Sequence, residues 1–136
     1  LNSKLRHELK SFGLVAAGAI PGALLRWQCE RLGYTAIGGL RGLVAADFVA
    51  NMLGCLVIGL VLAQPPNNPR LTLLLGIGFC GSLTTFSAWI LQLYLAIHSG
   101  SVLKAMAVLL ASLVGGLALV CLGYAMGRLG QGRRIR

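Results

Sequence analysis

The chain has 136 residues, 57% of them hydrophobic and only 11% charged, whereas a soluble domain carries roughly a quarter of its residues charged; the composition is that of an integral membrane protein and excludes a soluble globular domain. The length holds about four spans of roughly 20 residues with short links, one membrane domain and no second one. Twelve basic residues stand against Glu8, Glu30 and Asp47, for a net charge of +9. In so apolar a chain this charge reads as contact with the headgroups of a lipid bilayer, and nucleic acid is set aside.

Residues 1–11 (LNSKLRHELKS) are polar and basic, and an apolar run begins at Phe12. No A-x-A-type cleavage site and soluble domain follow it, so it predicts a first span over 12–29 rather than a signal peptide; Leu1 suggests that the natural start is not represented. Gly18, Gly22 and Arg26 are spaced by four and share a helix face, suited to close packing or to a vestibule. Arg26 is the one cation within a span, and it either serves function or snorkels to the headgroups. A loop is expected over Glu30–Gly42. A second span follows over 43–63, ended by the breaker cluster QPPNNPR. Within it Asp47 lies one turn before Asn51 on the same face and reads either as a helix cap or as a carboxylate beside a polar path.

The third segment, 71–97, contains GFCGSLTTFSAW, Gly78 to Trp89. An unsatisfied backbone group in hydrocarbon costs several kcal/mol, so broken helix survives there only against protein or a cavity. Gly78, Gly81, Ser82, Thr84, Thr85 and Ser87 therefore have two readings. They let a neighbouring helix approach, or they mark a break whose freed amides and carbonyls meet ions. A fourth span runs over 102–126, where Gly123-x-x-x-Gly127 suits helix packing, and the tail GRLGQGRRIR follows. Cys29, Cys55, Cys80 and Cys121 have no zinc or redox spacing, His7 and His98 have no ligand-type neighbours, and Ser87 is not set in G-x-S-x-G.

Four spans place both termini on one side. That side carries Lys4, Arg6, Lys10, Arg70, Arg128, Arg133, Arg134 and Arg136, against Arg31, Arg41 and Lys104 opposite, which predicts cytoplasmic termini in the cell membrane.

Three motifs in order resemble the Fluc (CrcB) fluoride channels: GAIPGALLRW (Gly18 to Trp27), ADFVANMLGCLVIG (Ala46 to Gly59) and GFCGSLTTFSAW. The resemblance covers nearly the whole chain. It implies an all-α fold of four transmembrane helices with the third broken at mid-membrane, and an antiparallel dimer with two narrow pores. It also implies a structural sodium ion at the dimer centre, held by the backbone carbonyls of Gly81 and Thr84. The pore residues it implies are Asn51 and Phe86, with Trp89 where the family pattern has a second phenylalanine. Thr85, Ser87 and Ser112 add hydroxyls, and Arg26 and Asp47 fall at the pore entrance. The fourth-helix track Y-x-x-x-S-x-x-x-S appears as Val108, Ser112 and Gly116, and Asp47 replaces a threonine.

A fluoride-selective channel for passive export, not an enzyme, is the function expected. Phenylalanine edges and amide hydrogens stand in for the ion's water without gripping it. Two alternatives are a small proton-coupled drug antiporter, which requires a carboxylate deep in a span where Glu30 and Asp47 read as span ends, and a non-conducting partner subunit. The charge bias allows a heterodimer with an oppositely oriented homologous subunit beside the dual-topology homodimer.

Overall fold

The computed structural model of the chain describes residues 2–65 and 68–132. Among these, four helices are long and apolar enough to cross a membrane: α1 (Ser3–Ala36), α2 (Gly39–Leu62), α3 (Pro69–His98) and α4 (Val102–Gly132). Long runs of Leu, Val, Ile and Ala let most backbone bonds close within one helix, as a span without water demands. They also turn outward. Phe12, Ile20, Leu103 and Leu117 are among many large apolar side chains left exposed, and among the described residues Leu83 is the one large side chain fully buried.

The loop expected over Glu30–Gly42 is almost all helix. Only Ile37 and Gly38 interrupt it, because Gly38 and Gly39 take φ of 89° and 54°, left-handed values that cost glycine little. The chain therefore reverses in two residues, and α1 reaches 34 residues, about 51 Å at 1.5 Å per residue, well beyond the roughly 30 Å of a hydrocarbon layer.

Without a hydrophobic drive between helices in lipid, close packing through small residues holds a bundle together. Gly18 lies against the backbone of Leu74, and Gly78 against Val15, whose carbonyl oxygen is 2.5 Å from where a Cβ on Gly78 would sit. On the other side of the bundle Gly59 lies on the Val120 carbonyl, Gly123 on that of Leu56, and Gly127 on the Ala63 methyl, so the Gly123-x-x-x-Gly127 pair packs as expected. The order of these contacts sets the directions. Lys10, Gly18 and Gly22 meet Arg70, Leu74 and Ser82 in ascending order, as Gly59 and Ala63 meet Val120 and Gly127. By contrast Gly33 meets Gly42, and Val44 meets Gln92, in opposite senses. Successive helices alternate, and both ends of the described chain lie at one end of the bundle.

α3 is irregular. Thr72–Cys80 winds in wide π turns, Gly81–Leu83 returns to α geometry, Thr84 and Thr85 are extended (ψ 152° and 125°), and the helix resumes over Phe86–His98. The break expected across Gly78 to Ser87 is thus confined to two threonines. Gly78 and Gly81 remain helical.

Candidate anion groove

Threonine is a poor helix former, but α2 is what holds these two open. Asn51 Oδ1 accepts from the Thr85 amide at 2.8 Å, and its Nδ2 donates to the Thr85 carbonyl at 3.1 Å. Thr84 turns its own N–H and hydroxyl back onto the Cys80 carbonyl, at 3.0 and 2.9 Å. One turn along α2 from Asn51, Gly54 leaves room for the Thr84 methyl, which a Cβ there would overlap. The Asn51 side chain thus satisfies the Thr85 amide and the Cys80 carbonyl that of Thr84. The carbonyls of Gly81 and Thr84 are different: among the described residues no side chain and no amide outside their own helical turns donates to them.

Ser82 fixes the first half of α3 to α1. Its Oγ lies 2.9 Å from the carbonyls of both Ala19 and Gly78, and Gly22 packs directly on it. The small residues of the motif therefore divide their work, with Gly78 and Ser82 docking α3 on α1 while Thr84 and Thr85 form the break.

Beside the break runs a groove of about 420 Å³ framed by α2, the second half of α3, and α4. Asn51, Thr85, Phe86, Trp89 and Ser112 all line it, which brings together five of the six residues that the sequence places in a pore. Ser87 is not among the lining residues; its Oγ is 2.9 Å from that of Thr85. The Phe86 and Trp89 rings are tilted by 51° with centroids 5.5 Å apart. Phe86 is 71% exposed, whereas the Trp89 indole nitrogen is buried without a hydrogen-bond partner. Ser112 donates its proton to the Val108 carbonyl at 2.8 Å. Asn51 spends one amide hydrogen on Thr85 and keeps the second.

Phe48 also lines this groove and continues it into a wider, mainly apolar cavity of about 990 Å³ that extends to Arg41 and Lys104. Gln92 lines the wider part and donates to the Val44 carbonyl. Sequence reasoning missed both residues. The signal was present, since Phe48 precedes Asn51 by three positions and Gln92 follows Trp89 by three, each on the same helix face.

Arg26 and Asp47 line neither cavity. The Arg26 Nε is 3.3 Å from Glu30 Oε1, one turn on in α1, and Asp47 faces this pair from α2 with its Oδ1 buried and unpartnered. Two expectations need correction. Asp47 is not a cap, because α2 begins at Gly39 with Gly38 as its N-cap residue, and Glu30 lies inside α1 rather than past its end. Both carboxylates stand within helices because the short glycine turn extends α1 and α2 through the stretch taken for a loop.

An anion in the groove would meet the free Asn51 amide hydrogen and two aromatic rings, whose edges are positive, with no fixed cation among the groove's lining residues to trap it. This chemistry suits passage rather than storage or turnover.

The family model described as CrcB-like protein, Camphor Resistance (CrcB), matches residues 13–124. Over 127 residues the chain is 43% identical to "Fluoride-specific ion channel FluC 2" of Parasynechococcus marenigrum (strain WH8102), covering 93% of this chain and 87% of the relative. It is 41% identical to "Fluoride-specific ion channel FluC 2" of Synechococcus sp. (strain CC9902), over 91% of this chain and 84% of the relative. From that same strain it is 35% identical to "Fluoride-specific ion channel FluC 1", over 86% of this chain and 93% of the relative.

Proposed function

The chain belongs to the CrcB family and is a fluoride channel, not an enzyme; from that premise we propose that fluoride leaves the cytoplasm passively along the groove at the α3 break. The observation that carries this path is the convergence of Asn51, Thr85, Phe86, Trp89 and Ser112 on one groove. The free Asn51 hydrogen and the ring edges replace part of the ion's hydration, and no energy-coupling site is required because the anion runs down its gradient. The break falls between 69–83 and Phe86–His98, and the similar length of the two halves supports a position near the middle of the bilayer.

The groove is open along one side, and Phe86 at its edge is largely exposed. An oppositely oriented subunit closes it, and two such grooves make a double-barrelled dimer. The carbonyls of Gly81 and Thr84 fit a structural sodium ion at the dimer centre: hard oxygen donors suit a hard cation, and a Cβ on Gly81 would meet nothing within 4 Å. When bound, the ion adds positive charge that offsets the carbonyl dipoles of both chains. Arg26, paired with Glu30, and Asp47 line neither the groove nor its wider continuation and take no part in this path.

The partner is a second copy inserted the other way or a homologous subunit of opposite orientation. The second is supported by the presence of both a "FluC 1" and a "FluC 2" relative in one strain, CC9902. Liposomes loaded with fluoride test the reading, with the chain reconstituted alone and together with such a subunit. Fluoride release without chloride release is expected in at least one arm. Release in neither arm would remove the channel path, and uptake of a cationic drug driven by a proton gradient would replace it with an antiporter.

A further inference from the structure

The three acidic residues leave much of the positive charge uncompensated. Among the described residues the one ion pair is Arg26 with Glu30, and Asp47 faces that same pair. At the bundle end that holds both termini, Lys4, Arg6, Lys10, Arg70 and Arg128 are accompanied only by Glu8, and none of them forms an ion pair. Two of these cations also share a cavity. Lys10 of α1 and Arg70 at the start of α3 line a cleft of about 430 Å³ with Gly13 and Leu14. Gly13 leaves it unfilled, since a Cβ there would meet nothing within 4 Å.

The position of the cleft selects its occupant. Lys10 stands two residues before Phe12, where the apolar run begins, and Arg70 opens the third span, so both charges sit where hydrocarbon gives way to headgroups. The guanidinium offers a planar fork of donors and the ammonium a compact charge, a pair suited to phosphate oxygens. Leu14 supplies the apolar side that an acyl chain would follow into the bilayer. We propose that this cleft binds the phosphate of an anionic membrane lipid between Lys10 and Arg70. Free inorganic phosphate shares the headgroup chemistry but has nothing to lay against Leu14.

No residue of this cleft lines the conducting groove, so the two readings fail separately. The test is native mass spectrometry of the detergent-solubilised protein titrated with phosphatidylglycerol, with phosphatidylcholine and inorganic phosphate as separate arms. Phosphatidylglycerol is expected to remain bound where phosphatidylcholine is stripped, and inorganic phosphate should not displace it. Near a membrane surface each basic residue contributes about a fivefold factor in affinity, so Lys10→Gln with Arg70→Gln should weaken retention roughly thirtyfold. Gly13→Leu keeps every charge and fills the cleft; it should also lose the lipid, which a diffuse attraction to positive charge would not. Equal retention of the two lipids, displacement by inorganic phosphate, or unchanged binding in Gly13→Leu would each overturn the proposal. Unchanged helix content by circular dichroism and an unchanged melting curve in detergent for all variants confirm that they fold.

Discussion

With one end on the Thr85 amide and the other on the Thr85 carbonyl, Asn51 is both a strut for the break and a donor to its groove. The two roles separate by substitution. Asn51→Leu leaves the Thr85 N–H unpaired in a dry setting, at about 1–3 kcal/mol for a buried group. Thermal stability and fluoride efflux should then fall together, efflux by tenfold or more. Asn51→Asp still accepts from the Thr85 amide but replaces the donor with an anion's charge. It should retain more of the wild-type stability and abolish efflux, and melting curves beside an efflux assay read the two apart. Asp47 presents a different case, because one guanidinium faces two carboxylates and Asp47 Oδ1 has no partner. Removing the second charge in Asp47→Asn should raise the melting temperature, by an amount on the order of 1 kcal/mol, whereas Glu30→Gln should lower it by stripping Arg26 of its paired carboxylate.

Between elements, the bundle depends on where one helix comes within backbone contact of another. Gly123 rests on the Leu56 carbonyl and Gly54 on the Thr84 methyl. Gly123→Val would force α2 from α4 and should cost roughly 1–3 kcal/mol, visible as a fall in melting temperature. Gly54→Ala meets only a side-chain methyl, which shifts the break rather than the bundle; efflux should drop severalfold with little change in melting, and equal losses in both assays would contradict that division. Much of this level was legible in the residues. Runs of apolar side chains gave four spans, and the spacing of Gly123 and Gly127 gave a packing face. The limits of the break were not legible, because hydropathy registers composition and not which amide finds a partner: Gly78 was available for unwinding and was used for close approach. The loop placed over Glu30–Gly42 failed for a related reason. Its polar and glycine content resembles a link, yet nothing in 30–36 stops a helix, and two left-handed glycines turn the chain within two residues. That error displaced the start of α2 and made Asp47 look like a cap. For the groove, the polar and aromatic residues were visible one by one, whereas Phe48 and Gln92 joined only once three helices were set side by side.

At the scale of the whole molecule, the distribution of charge bears on what the open groove pairs with. Lys4, Arg6, Lys10, Arg70 and Arg128 lie at one end and Arg31, Arg41 and Lys104 at the other; Arg133, Arg134 and Arg136 belong to the first group by sequence and lie outside the described residues. Eight against three is a bias that predicts the basic end on the cytoplasmic side. On the proposed antiparallel pairing, the groove cannot be closed by a copy inserted the same way, because an isologous contact about an axis in the membrane plane requires opposite orientations. The chain purified alone should therefore give vesicles that release little fluoride, and addition of a homologous subunit with the reverse bias should restore release. Lowering the bias offers the complementary measurement. Replacing Lys4, Arg6 and Lys10 with glutamine leaves five against three, removes no residue from the groove, and should let a fraction of chains insert either way, so that the variant conducts without a partner. Full fluoride release by the unmodified chain alone, with cross-links between antiparallel copies, would show instead that the basic ends fail to fix its orientation and that one gene product builds both halves of the channel.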